Sequence, residues 1–208
     1  MSTSPSEAPE DLDAETLAPG TLEELASAVA VDTGGEAAVA FGTAKVRVAA
    51  SEWVATLTTA RDRFGLVFFS WLSAIDWANT VEVGDALVDE VEERYEVLAA
   101  VSDLGPGRMV VFSADLGKER PVIGSLVAVY PGANWHEREA HEMFGIEFAG
   151  HPQLRNLYLP DGFQGHPLRK SFPLLSREVK PWPGKVDVEG MPGKGDEPDE
   201  ASIENPEA

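Results

Sequence analysis

What most restricts the fold of this chain is where its charge lies. Residues 1–24 carry seven acids and no base, and residues 186–208 carry eight acids and one base. Both ends are rich in Pro, Gly or Ser and poor in large apolar side chains, so neither can bury enough surface to offset the entropy of ordering its backbone. We therefore expect a disordered acidic N-terminus over 1–20 and a disordered acidic tail over 186–208. The stretch between, 25–185, holds 21 acids and 15 bases, an ordinary balance for one soluble domain.

The same charge excludes some functions. A net charge of -20 repels phosphate backbones and anionic lipid surfaces, so no nucleic-acid partner is expected. With no cysteine the chain has no thiolate for zinc, an iron-sulfur cluster or nucleophilic attack. The first residues lack the basic and apolar regions of a targeting peptide, which implies the cytoplasm. The most apolar run, Leu66 to Ile75, is about half the ~20 residues a membrane span needs. Any membrane contact is thus expected to be indirect, through other chains.

Helix and strand signals interleave. Thr21 followed by Glu24 reads as a capping box, with Leu22, Leu25, Ala26 and Val29 at helical spacing. After Gly34-Gly35 come two β-forming segments, then Ser51 as N-cap of a helix with Trp53, Leu57, Ala60 and Phe64 on one face and Gly65 at its end. Runs at 66–77, 93–103 and 108–116 read as strands, the last two joined as a hairpin through Gly105-Pro106-Gly107. The acidic stretch 81–96 reads as a solvated turn region. This pattern predicts an α+β fold, a mixed sheet with hairpins packed against helices, followed by an extended C-terminal arm. The divisions are an α+β domain over 21–145 and a partner-binding arm over 146–185.

All four histidines fall after Tyr130, within YPGANWHEREAHEMFGIEFAGHPQLRNLYLPDGFQGHPLRKSFPL. Asn134 is a suitable N-cap and Gly145 a suitable stop for a helix of about three turns. HEREAH resembles a zincin motif, but His136 and His141 are five apart, which sets them about 140° apart around a helix and unable to share one ion. Two other chemical readings remain: a metal bound by His141, His151 and His166 with a carboxylate, and Glu139 with Glu142 as a general acid and base. Two Gly-His-Pro turns, at 150–152 and 165–167, each fix a bend through the freedom of Gly and the restraint of Pro. Arg155, Arg169 and Lys170 follow them, ready to pair with carboxylates either on another surface or in this chain. Trp182, between two prolines, is either the anchor of an arm on a partner or a side chain folded back on its own domain.

At this segment the sequence resembles the family of C subunits from the proton-pumping NADH-quinone oxidoreductases, the peripheral-arm chains of bacterial complex I. The residues that carry the resemblance are Glu137, Arg138, Glu139, Glu142, Met143, Phe144, His151 and Arg155 in order, then Gly165 to Leu174, with PGANW before them. Glu142 stands where Asp is common and Asn156 where a second base is usual. The resemblance implies a chain that binds no flavin, cluster or metal itself, in a complex whose other subunits carry FMN, iron-sulfur clusters and quinone. It implies docking chiefly against the quinone-site subunit (the D subunit of such complexes) and adjacent peripheral-arm subunits, on the cytoplasmic side of the cell membrane. Glu137, Arg138, Glu139, Glu142, Met143, Phe144, His151, Arg155, His166, Arg169, Lys170 and Trp182 then become motif and interface residues, none catalytic. The same motifs are compatible with the equivalent chain of a membrane-bound hydrogenase or of a dehydrogenase fed by another donor.

Overall fold

The computed structural model describes residues 21–81, 88–105 and 107–173. Trp182, the segments read as disordered at 1–20 and 186–208, and the arm beyond residue 173 lie outside the described residues. Helix α1 (Leu22–Thr33) starts as its sequence dictates: Thr21 Oγ1 accepts from the Glu24 N–H at 3.2 Å, and Glu24 Oε2 accepts from the Thr21 N–H at 2.9 Å. Strands β1 (Glu36–Ala40) and β2 (Thr43–Arg47) form a hairpin, and α2 (Trp53–Phe64) follows. Ser51 is not the cap of α2. It lies inside a single 3₁₀ turn, Ala50–Glu52, that runs directly into the helix, and its hydroxyl bonds no helix N–H.

Strands β3 (Phe68–Trp77), β4 (Arg94–Ser102) and β5 (Met109–Leu116) complete a five-stranded mixed sheet in the order β1-β2-β5-β4-β3. The pairs β3–β4 and β4–β5 are antiparallel, whereas β2 and β5 run parallel. Asp103 Oδ1 closes the β4–β5 turn by accepting from the Gly107 and Arg108 N–H groups at 2.7 and 3.0 Å. One face of the sheet, through Val46, Leu72, Val97, Val101, Phe112 and Ala114, joins Leu25, Val29, Trp53 and Leu57 of the helices in a single core. Short β6 (Val122–Gly124) pairs in parallel with β7 (Glu147–Ala149), and between them lies α3 (Ala133–Phe144).

α3 places Ala133, Glu137, Ala140 and Phe144 on its buried side. Its N-cap is Gly132, with Asn134 already in the first turn, because the chain enters through a tight turn in which the Ala133 and Asn134 N–H groups bond Tyr130 O and Pro131 O. The fold is thus the α+β arrangement read from the sequence. Residues 146–173 belong to the same compact unit as the sheet.

Candidate functional site

The motif helix and the two Gly-His-Pro turns form one knot of hydrogen bonds. Glu137 is fully buried; its carboxylate accepts from Ser125 Oγ and the Leu126 N–H, both at 2.6 Å. Burial pushes its pKa up to about 7, only partly offset by those two donors. This corrects the interface role for Glu137, which is shut away from any partner by its own domain.

One position on, Arg138 donates from Nε to Arg155 O at 3.0 Å and from Nη2 to Asn156 O at 2.9 Å. Glu142 accepts from the N–H groups of Leu157, Tyr158 and Leu159 at 3.0, 2.9 and 2.5 Å. Its desolvation favours the neutral form, but those three donors and the nearby Arg138 charge outweigh it and hold the pKa below the usual range. Arg138 and Glu142, neighbours at i and i+4, therefore grip successive carbonyls and amides of 155–159. Both Glu142 oxygens accept backbone N–H bonds, so in the acid-base pairing of Glu139 with Glu142 the second carboxylate is already engaged.

The histidines close the ends. His141 Nδ1 lies 2.8 Å from Ile146 O, and His166 Nδ1 2.8 Å from Glu142 O. Each contact fits an Nδ1–H donor. His151 Nδ1 accepts from the Gln153 N–H at 3.0 Å, so its Nε2–H faces Asn134 O at 3.2 Å. Leu168 N–H then bonds Met143 O at 3.1 Å and Arg169 Nε bonds Phe144 O at 2.6 Å. Three carbonyls left open by the end of α3 are thus satisfied from the second turn, where a helix alone leaves them unpaired. A cavity of about 220 Å³ remains here, lined by His141, Glu142, Asn156, Leu159, Phe163, Gly165 and His166. Among the described residues no group of three or more His, Asp or Glu side chains is placed to hold a metal ion. The three-histidine reading finds no such cluster among the described residues, although a ring that donates Nδ1–H to a carbonyl, as His141 and His166 do, keeps Nε2 free.

The bases after the turns are also held within the domain. Arg169 lies over the Tyr95 ring at 5.5 Å, and the Lys170 N–H donates to Asp76 Oδ2 at 3.0 Å. Asp76, buried on β3, also takes Lys118 Nζ. Among the described residues neither Arg169 nor Lys170 forms an ion pair with a carboxylate, so the alternatives of a partner's carboxylates and this chain's own both stay open for their charges. Glu139 and Met143 are half-buried, Arg155 is exposed, and Trp135 beside them is 66% exposed. The sequence reading missed Ser125, Leu126 and Asp76, which serve motif residues from 11 to 94 positions away; no local pattern marks such distant partners.

Residues 46–178, spanning every motif residue but Trp182, match the family model "Respiratory-chain NADH dehydrogenase, 30 Kd subunit". The chain belongs to this family. Among relatives, the NADH-quinone oxidoreductase C subunit of Bordetella petrii is 36% identical over 163 residues, covering 74% of this chain and 78% of the relative. The C subunit of Methylobacterium sp. (strain 4-46) is 36% identical over 158 residues, covering 74% and 69%. The fold is shared with the trypsin-resistant fragment of Nqo5, at TM-score 0.52 and 20% identity over 65% of this chain and all of that one. It is shared too with a chain of a membrane-bound sulfane sulfur reductase, an archaeal respiratory membrane complex, at TM-score 0.60 and 17% identity over 80% and 97%. In this member of the 30 kDa family, the signature residues are a clamp that folds the segment after α3 back on itself. Among the described residues no helix is long and apolar enough to cross a membrane.

Proposed function

We propose that this chain is a non-catalytic structural subunit in the peripheral arm of a proton-translocating NADH-quinone oxidoreductase. It docks chiefly against the quinone-site subunit and its neighbours on the cytoplasmic side of the membrane. Electrons pass from NADH through FMN and iron-sulfur centres to quinone in other subunits, and this chain binds none of those groups. The observation that carries this reading is the family match over residues 46–178. Its support from geometry is that two of the three motif carboxylates, Glu137 and Glu142, are spent on Ser125, Leu126 and the 157–159 amides. Such groups hold a backbone in shape, with both oxygens engaged and neither placed for proton transfer to a substrate.

A second reading, the equivalent chain of a hydrogenase or of a complex fed by another donor, draws on the fold shared with the sulfane sulfur reductase chain. Tagging the full-length protein, solubilising membranes gently and identifying what co-purifies separates the two. Recovery with flavin, iron-sulfur and membrane subunits and NADH-quinone activity supports the first reading. Recovery with a nickel-site large subunit, or without NADH activity, supports the second.

A further inference from the structure

Five carboxylates are buried among the described residues: Asp76, Glu96, Asp103, Glu137 and Glu142. Four of them have a cation beside them. Lys118 reaches Asp76, Lys45 reaches Glu96, Arg108 reaches Asp103, and the Arg138 charge lies near Glu142. Glu137 is fully buried and has no cation against it among the described residues. A buried charge without a counter-ion is costly, and such a group ordinarily takes up a proton instead.

The charged groups on the elements around Glu137 are turned elsewhere. On α3, Arg138 holds the 155 and 156 carbonyls, His141 faces Ile146 O, and His136 sits edge-on to Phe69. From α2, Arg61 bonds Val129 O and pairs with Asp62. Asp76 of β3 is taken by Lys118, while Glu52 before α2 and Glu147 of β7 are exposed.

Both donors to Glu137, Ser125 Oγ–H and the Leu126 N–H, are neutral and lie at 2.6 Å. Ser125 Oγ also accepts from the Val127 N–H at 3.2 Å, and the Ser125 N–H is tied to Ala149 O at 2.9 Å. The same heavy-atom positions therefore serve either charge state. Ionised, the carboxylate accepts from both donors. Protonated, it donates its O–H to Ser125 Oγ, whose own hydrogen rotates away, and its other oxygen still accepts from Leu126. What differs is the cost of staying buried, and burial accordingly pushes the pKa up to about 7. The connection held in this way seats the motif helix: Leu126 O accepts from the Val129 and Tyr130 N–H groups at 2.8 and 2.7 Å, and Tyr130 Oη donates to Leu66 O at 2.8 Å.

We propose that Glu137 is a proton-operated latch on the β6–α3 connection, closed while the proton is bound and opening more readily to water as rising pH removes it. The latch belongs to the fold of this chain and does not depend on the subunit reading. The test follows amide exchange in the full-length protein and in Glu137→Gln between pH 6 and pH 8, corrected for the intrinsic pH dependence of exchange. Opening at Leu126 and Val127 is expected to rise about tenfold over that range in the parent relative to the variant. Equal slopes in parent and variant overturn the proposal, as does a rise of the same size at the amides of β4, which would make the opening global. If the variant does not fold, infrared spectra of the parent carrying ¹³C-labelled glutamate decide. A protonated-glutamate band at pH 6.5, stronger than that of the urea-unfolded chain and lost by pH 8, supports the latch; its absence at pH 6.5 overturns it.

Discussion

Glu137 and Glu142 lie five residues apart on one helix, and their surroundings drive them in opposite directions. Glu137 is enclosed with two donors and pushed up to about 7 from an ordinary 4.5. Its folded-state value exceeds its unfolded one, so its contribution to stability is full in acid and declines as pH rises from about 4.5 to about 7, then levels off. Other carboxylates, Glu96 and Glu142 among them, are lowered and tilt stability the other way. The difference between parent and Glu137→Gln isolates the effect. Urea unfolding at a series of pH values is expected to show the variant gaining on the parent between pH 5 and 8 by up to about 3 kcal/mol. A difference that does not change with pH would contradict the assignment. For Glu142→Ala the expected loss is about 1–3 kcal/mol, since three amides lose their acceptor, with faster amide exchange at 157–159 as the local signature. The residue types of this motif were legible in the sequence, and so was their arrangement on one helix. Their targets were not, because Ser125, Leu126 and Asp76 come from other parts of the chain, joined only by the fold.

At the level of elements, α3 is ended twice. Gly145 turns the chain at φ 74°, and the 165–170 segment supplies donors to the carbonyls that the turn leaves open. Gly145 and Gly150 both have left-handed φ, but only Gly145 is crowded: an added Cβ would meet Arg169 Nη2 and come within 2.6 Å of His166 Nε2, whereas Gly150 has nothing within 4 Å. Gly150→Ala should therefore cost about 1–2 kcal/mol from backbone strain alone. Gly145→Ala should cost clearly more and lower the melting temperature further, because it pushes the clamp apart; equal losses in calorimetry would show that the clamp carries no energy. Strands and helices were readable from periodicity because each pattern is local. The starts of α2 and α3 were misread because a 3₁₀ turn and a tight turn at Tyr130–Gly132 supply what Ser51 and Asn134 would have supplied.

On the scale of the molecule, a segment that reads as an arm for a partner is, as far as residue 173, part of the domain. Its Gly-His-Pro turns suit either role, and sequence spacing cannot tell a backbone carbonyl of the same chain from a carboxylate of another. The mixed sheet with hairpins was legible from the strand runs. Its parallel β2–β5 pairing was not, because it depends on strand order. On the proposed reading the chain acts by holding shape and offering surfaces, with no chemistry of its own. The most direct test is to place Arg138→Ala, which frees the 155–156 carbonyls, in the chromosomal copy and to measure membrane NADH-quinone turnover per assembled complex alongside the amount assembled. Fewer complexes are expected, by several-fold, each turning over at the parental rate. Normal assembly with turnover lost would contradict a structural role and make this helix part of the reaction.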